Sequence, residues 1–167
     1  MSTRRTSSCR SSTIRSASNS LLRVRGGSAS RSWSRPRIAG EALLANDVPR
    51  FLKAMDGFFR SIPYSLTDRQ NEQMWQTIVW TVLKSVGVYA NGEVQTADGR
   101  VDMTVETPTD VYLIEFKLDD TAANAIAQIR EKDYAAPFAL SQKSITLIGL
   151  GFSAEQLTIT DRAAEAL

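Results

Sequence analysis

Two β-rich runs, residues 100–106 and 111–118, are separated by only four residues, Thr107-Pro108-Thr109-Asp110. In the first, Val101, Met103 and Val105 alternate with Arg100, Asp102 and Thr104, which is the period of a strand. The second, Val111 to Leu118, is rich in β-formers, and the Pro108 region between them reads as a turn. A hairpin closed around Pro108-Thr109 pairs Thr107 with Asp110, which places Asp102 opposite Glu115 and Arg100 opposite Lys117. Directly opposed side chains have Cβ atoms roughly 4.5–5.5 Å apart. Two carboxylates at that spacing can share a divalent cation, with Lys117 on the same face. The opposite face carries Val101, Met103, Val105, Tyr112, Ile114, Phe116 and Leu118, all apolar. One face is therefore core, and the other ends in a charged cluster.

The same four charges also read as two cross-strand ion pairs on a solvated face. That reading accounts poorly for Asp102 opposite Glu115, because opposed like charges destabilise a hairpin unless a cation intervenes. Composition narrows the chemistry further. The chain has no histidine and one cysteine, Cys9. This removes Ser-His-Asp and Cys-His catalysis and histidine-bound zinc. It also removes an internal disulfide framework and fits a reducing, cytoplasmic compartment. No apolar run is long enough to span a membrane. Hydrolysis by this chain would have to run on carboxylates, lysine and a hard metal ion.

Charge divides the chain in two. Residues 1–40 hold nine arginines and no acid, so with a total of +2 the remainder carries −7. With twelve serines and little apolar periodicity, residues 1–40 are expected to be disordered. A basic nucleic-acid-binding arm, an organellar transit peptide, and sequence from an upstream or shifted reading frame all fit that composition. Residues 41–62 read as a helix capped by Asn46 or Asp47, with Val48, Phe51, Leu52, Met55, Phe58, Phe59 and Ile62 at helical spacing. A second helix spans 67–86, opened by a Thr67-x-x-Gln70 capping box and closed by Gly87. Val88 to Thr96 is the first strand, and Ala97-Asp98-Gly99 turns it into the hairpin. Asp119-Asp120-Thr121 caps a helix running to about Ala136, with Ala122, Ala125, Ile126 and Ile129 on its buried side. Ser144 to Leu150 follows as a strand, so a parallel right-handed crossover is expected. The tail predicts a short strand at Leu157-Thr158-Ile159 and a frayed helical end. The fold class is α/β, a mixed central sheet of antiparallel hairpin and parallel crossover strand, flanked by helices.

The set Gly99-Arg100-Val101-Asp102, Ile114-Glu115-Phe116-Lys117, Ala127-Gln128-Ile129 with Lys132 and Tyr134, and Leu147-Ile148-Gly149 resembles the PD-(D/E)XK nuclease superfamily. In particular it is similar to the nuclease-like C-terminal domain of AAA-ATPase-like bacterial proteins. The resemblance implies a restriction-endonuclease-like core over residues 66–167, joined through a linker helix over 41–65. It implies Mg²⁺, or Mn²⁺, held by Asp102, Glu115 and the Phe116 carbonyl, with Glu72 as a further ligand from the second helix. It assigns Lys117 to orienting or activating water and Gln128 to holding that lysine or a backbone phosphate. As a first-turn acid Glu72 also has a purely structural explanation, and so does Glu93 as an edge-strand acid. The implied activity is a phosphodiesterase acting on DNA or RNA. The alternative is a catalytically silent binding or regulatory module, or a truncated remnant, partnered by an AAA-ATPase domain or a second copy. Because residues 1–40 do not resemble the ATPase part expected upstream, the resemblance favours a non-native origin for them.

Overall fold

The hairpin forms in the register that the alternation dictates. In a computed structural model, which describes residues 29–63, 65, 71–96 and 99–167 and leaves aside the side chains of 29–33, strand β2 (Gly99–Glu106) runs antiparallel to β3 (Asp110–Leu118). Met103 faces Ile114, Thr104 faces Leu113 and Val105 faces Tyr112. The turn closes with Thr107 N–H donating to the Asp110 carbonyl at 2.9 Å. Thr107 Oγ1 then accepts from Asp110 N–H, also at 2.9 Å. Strand β1 (Tyr89–Thr96) pairs antiparallel with β2; its turn residues Ala97 and Asp98 lie outside the described residues.

Helix α4 (Ala122–Glu131) returns the chain to β4 (Ser144–Ser153), which lies parallel to β3 as the crossover rule requires. Thr121 caps α4 by accepting from Asn124 N–H at 3.2 Å, and Ala122, Ala125, Ile126 and Ile129 form its buried side as expected. The helix stops at Glu131, short of Ala136. The tail departs from expectation more sharply: Thr158–Ala166 is one strand, β5, antiparallel to β4, with no helical end. Its alternation is hidden in Thr-Ile-Thr-Asp-Arg-Ala-Ala-Glu-Ala, because an edge strand leaves most side chains in water and Ala and Glu also suit a helix. The sheet order is β1-β2-β3-β4-β5, an α/β architecture with a mixed sheet consistent with a restriction-endonuclease-like fold.

Residues 41–62 form no single helix. Helix α1 (Ala29–Leu44) ends in a turn through Asn46 at positive φ, and Asp47 caps a second helix, α2 (Val48–Phe59). Helix α1 thus begins inside the segment expected to be disordered, and Ala39 and Gly40 are buried. Gly40 is required there, because a Cβ would stand 2.7 Å from Val86 Cγ2. The first 28 residues lie outside the described ones. Helix α3 (Glu72–Ser85) starts later than expected, with Asn71 at its N-cap; Thr67 and Gln70 lie outside the described residues.

Both faces of the sheet are covered. Helices α1–α3 pack against Met103, Val105, Tyr112, Ile114, Phe116, Ile148, Leu150 and Phe152. Phe152 sits at the middle of an aromatic group, with ring centroids 4.9 Å from Trp75, 5.0 Å from Phe59 and 5.9 Å from Phe116. The apolar face of residues 48–59 therefore packs on the domain itself. On the other face α4 covers Val101, Val111, Leu113 and Leu147. Val101 was expected beside Met103 and instead lies on the opposite side, because β2 changes face at Asp102.

Helix α4 sits so close to β4 that Gly149 has no room for a side chain: a Cβ would lie 2.2 Å from the Ala122 carbonyl oxygen. Gly149→Ala should therefore lower the thermal unfolding midpoint by an amount equivalent to about 1–3 kcal/mol or more. Gly92→Ala, whose Cβ would meet nothing nearer than 3.7 Å, should change it little. Equal midpoints for the two variants in a thermal melt would refute the close approach.

Candidate functional site

The backbone ladder of the hairpin gives way at its open end. Met103–Ile114 is the last regular β2–β3 pair, and beyond it side chains make the cross-strand bonds. Phe116 N–H donates to Asp102 Oδ2 at 2.9 Å, and Asp102 N–H donates to Glu115 Oε2 at 3.3 Å. Each carboxylate accepts from the backbone of the other strand. On the β1 side, Glu93 adopts φ +52° and the Glu93–Asp102 pair is missing from the register. Asp102 thus sits between two interruptions, which explains the change of face that sends Val101 toward α4.

Glu115 is 2% exposed. The reading of these charges as ion pairs on a solvated face fails on that burial. Helix α4 supplies the covering: Gln128 Nε2 donates to Glu115 Oε1, and Gln128 Oε1 accepts from Lys117 Nζ at 2.5 Å. Lys117 Nζ also lies 3.9 Å from Glu115 Oε1. Asp102, Glu115, Lys117 and Gln128 are therefore together, on two strands and one helix. Arg100, expected opposite Lys117, turns away: it pairs in register with Gln95 and its guanidinium lies 3.4 Å from Glu93.

Burial without a matching cation shows in the acidities. The Glu115 carboxyl is pushed up to about 7, first by desolvation and then by the Asp102 charge; the hydrogen bond from Asp102 N–H and the Lys117 ammonium pull the other way and lose. Desolvation also raises Asp102, against the hydrogen bond from Phe116 N–H. Glu72, half-buried at the first residue of α3, adds to both shifts through its charge. Its own Oε1 accepts from Gln76 Nε2 at 3.5 Å. Among the described residues no three Asp, Glu or Cys side chains converge into a metal cage. The donor set is sparser, two mutually repelling carboxylates beside the Phe116 peptide. Such a set fits a hard cation that keeps several waters, as Mg²⁺ does.

Two features escaped sequence reasoning. Asp161 Oδ2 on β5 accepts from Ala122 N–H at 2.9 Å, pinning the start of the helix that carries Gln128. It was hidden because the strand expected at 157–159 stops short of residue 161, which fell in the expected helical end. A cleft of about 590 Å³ also leads to Asp102 between α3 and the β1–β2 pair, lined by Gln73, Gln76, Thr77, Trp80, Lys84 and Asn91 among others. Its aromatic and amide residues alternate with core positions of α3, so the helical period accounts for their exposure but not for their use.

This chain belongs to the PD-(D/E)XK nuclease superfamily, whose family model matches residues 70–162. It is also 31% identical, over 134 residues, to a protein of Azotobacter chroococcum mcd 1 described as an uncharacterized protein in the vnfD 5' region. That match covers 76% of this chain and 26% of the relative, so the chain spans about a quarter of the relative's length. No helix among the described residues is long and apolar enough to cross a membrane.

A raised carboxyl makes stability depend on pH with a definite sign. The folded state holds the Glu115 proton up to about pH 7, whereas an unfolded chain releases it near 4.5. The metal-free protein should therefore lose stability as pH rises between those values, with Asp102 adding to the trend. Glu115→Gln should flatten the decline and raise the urea midpoint at pH 8. A midpoint at pH 8 no higher than that of the parent chain would contradict the buried, uncompensated carboxylate.

Proposed function

We propose that the chain is a divalent-metal-dependent phosphodiesterase acting on nucleic acid, with Asp102, Glu115, Lys117 and Gln128 as its machinery. The observation that carries this reading is the apposition of half-buried Asp102 and buried Glu115, bonded across the strands and both shifted toward their neutral forms by desolvation. Asp102, Glu115 and the Phe116 carbonyl would hold Mg²⁺, with Mn²⁺ as a substitute. When bound, the ion supplies charge neutralisation at the phosphoryl group, whose negative charge otherwise repels a nucleophile.

The remaining roles follow from the chain's own groups. Lys117 has three N–H donors; Gln128 takes one, and the Glu115 carboxylate attracts the head group at 3.9 Å. A further donor is left to orient the attacking water or a phosphate oxygen. Gln128 fixes the acid and the lysine to each other, because one amide bonds both. Burial of Glu115 keeps bulk water from competing for its oxygens. Glu72 contributes negative charge at the mouth and is assigned as an outer, optional ligand.

A second reading has its own support. The chain spans about a quarter of its Azotobacter relative, which leaves room in that relative for further domains. We propose that activity in such longer proteins is governed by an attached part, for which an AAA-ATPase domain is the leading candidate, and that this chain alone serves as its nuclease-like module in the cytoplasm.

The test is cleavage of single-stranded, duplex and branched nucleic acids by the full chain, with Mg²⁺, with Mn²⁺ and without metal. Cleavage should require metal and fall about 10²-fold or more in Lys117→Ala and Asp102→Asn. Gln128→Ala should weaken metal binding in calorimetry by about 10- to 100-fold, the usual cost of losing a group that orients a ligand. Absence of cleavage from a folded, metal-binding chain would move the assignment to the ATPase-partnered module.

A further inference from the structure

We infer that the cleft beside Asp102 is a binding track for an unpaired nucleic-acid strand, with Trp80 and Tyr89 as stacking surfaces for its bases. This inference rests on the nuclease reading of the Asp102–Glu115 site and names its substrate class. Three observations meet at the cleft, which Trp80 and Lys84 line and Tyr89 adjoins through Lys84. First, Trp80 on α3 and Tyr89 at the start of β1 are 39% and 60% exposed, although each would gain by burial. Second, the Lys84 ammonium stands 5.7 Å from the Trp80 ring centroid and 5.1 Å from that of Tyr89. Two π-faces and a cation thus share one patch, the combination that binds bases together with their phosphates.

The third observation connects the patch to the backbone of Asp102. Gly92 lies between them: a Cβ there would stand 3.7 Å from Trp80 Cδ1 and 3.9 Å from the Asp102 carbonyl oxygen. With no side chain at 92, the floor of the cleft is open backbone from the indole to Asp102. Its wall presents Gln73, Gln76 and Asn91, whose side-chain amides can donate to phosphate or base edges.

The charge distribution selects a single strand over a duplex. A duplex is gripped through many phosphates by an extended basic surface. Residues 41–167 carry −7, and the cleft sets Lys84 against Glu93 and Asp102. Stacking needs no such surface, but it does need bases that are free of a partner strand. An unpaired strand, a frayed end or a loop satisfies this, and an intact duplex does not.

The test uses the full chain carrying Lys117→Ala, so that turnover does not consume the probe. Labelled single-stranded DNA, single-stranded RNA and a blunt duplex are titrated by fluorescence anisotropy at about 0.3 M salt, which weakens phosphate contacts made by the N-terminal arginines. At least one single strand should bind tenfold or more tighter than the duplex. Adding Trp80→Ala should weaken that binding about 5- to 100-fold without lowering the melting temperature, whereas Trp80→Phe should retain most of it. Gly92→Leu, which fills the floor, should weaken it as well. Equal affinity for duplex and single strands, or indifference to Trp80→Ala, overturns the inference. The two proposals fail separately: Trp80-dependent strand binding by a chain whose Lys117 form never cleaves upholds the track and removes the nuclease. Duplex cleavage untouched by Trp80→Ala does the reverse.

Discussion

The molecule is arranged around two like charges set against each other, a buried Glu115 and a half-buried Asp102. Desolvation does most to raise the pKa of Glu115, and the charge of Asp102 adds to it. The Lys117 ammonium, 3.9 Å from Glu115, pulls the other way without cancelling these two effects. What keeps Glu115 buried is the fold around it. A sheet covered on both faces places Glu115 on a strand whose every neighbour from Val111 to Phe116 is also inaccessible. The hairpin gives up regular backbone pairing at that point and uses the carboxylates themselves to close the gap. The result is a site that is mechanically held and electrostatically incomplete, a combination suited to a hard cation.

Holding such a site requires rigid surroundings, and the aromatic group on the far face supplies them. Phe116, between Glu115 and Lys117 in sequence, points to the α1–α3 side and stacks near Phe152, which in turn meets Trp75 and Phe59. Alternation along β3 thus converts tight packing on one face into fixed positions for two candidate site side chains, Glu115 and Lys117, on the other. Tyr112 extends the same coupling to the helices, donating from its hydroxyl to the Leu43 carbonyl at 2.8 Å. The turn between α1 and α2 is tied in this way to the centre of β3.

Much of this was legible because it depends on local periodicity. The four-residue turn around Pro108 set the register, and the register alone brought Asp102 to Glu115. The buried side of α4 and its Thr121 cap could be read off the 3.6-residue spacing, and the parallel crossover followed from chain topology. The failures share a different origin. Val101 was put on the wrong face because a strand with one irregular residue, Glu93 at positive φ in its neighbour, no longer keeps its period. The Asp47 cap and the apolar spacing from Val48 were read correctly, but residues 41–44 close a separate helix, α1, whose start lies in the Ser/Arg-rich composition that argued against structure. The strand expected at 157–159 runs on to Ala166 in place of a helical end, because an exposed edge strand obeys its neighbour's hydrogen bonds more than its own residue preferences.

Gln128 shows why local pattern reaches the site's members but not their coupling. It sits 11 residues from Lys117 and 13 from Glu115, and one amide group bonds both. That amide is placed by α4, whose start is set by Gly149 and Gly151 beneath it and by Asp161 at its first turn. Gly151 matters for the same reason as Gly149, since a Cβ there would come within 2.6 Å of the Asp120 carbonyl. Three elements that are remote in sequence thus hold one hydrogen-bond bridge. Residue type and spacing can nominate an acid, an acid and a lysine. The orientation of the lysine relative to the acid is a property of the crossover, and it exists only once β4 and β5 have formed beneath the helix.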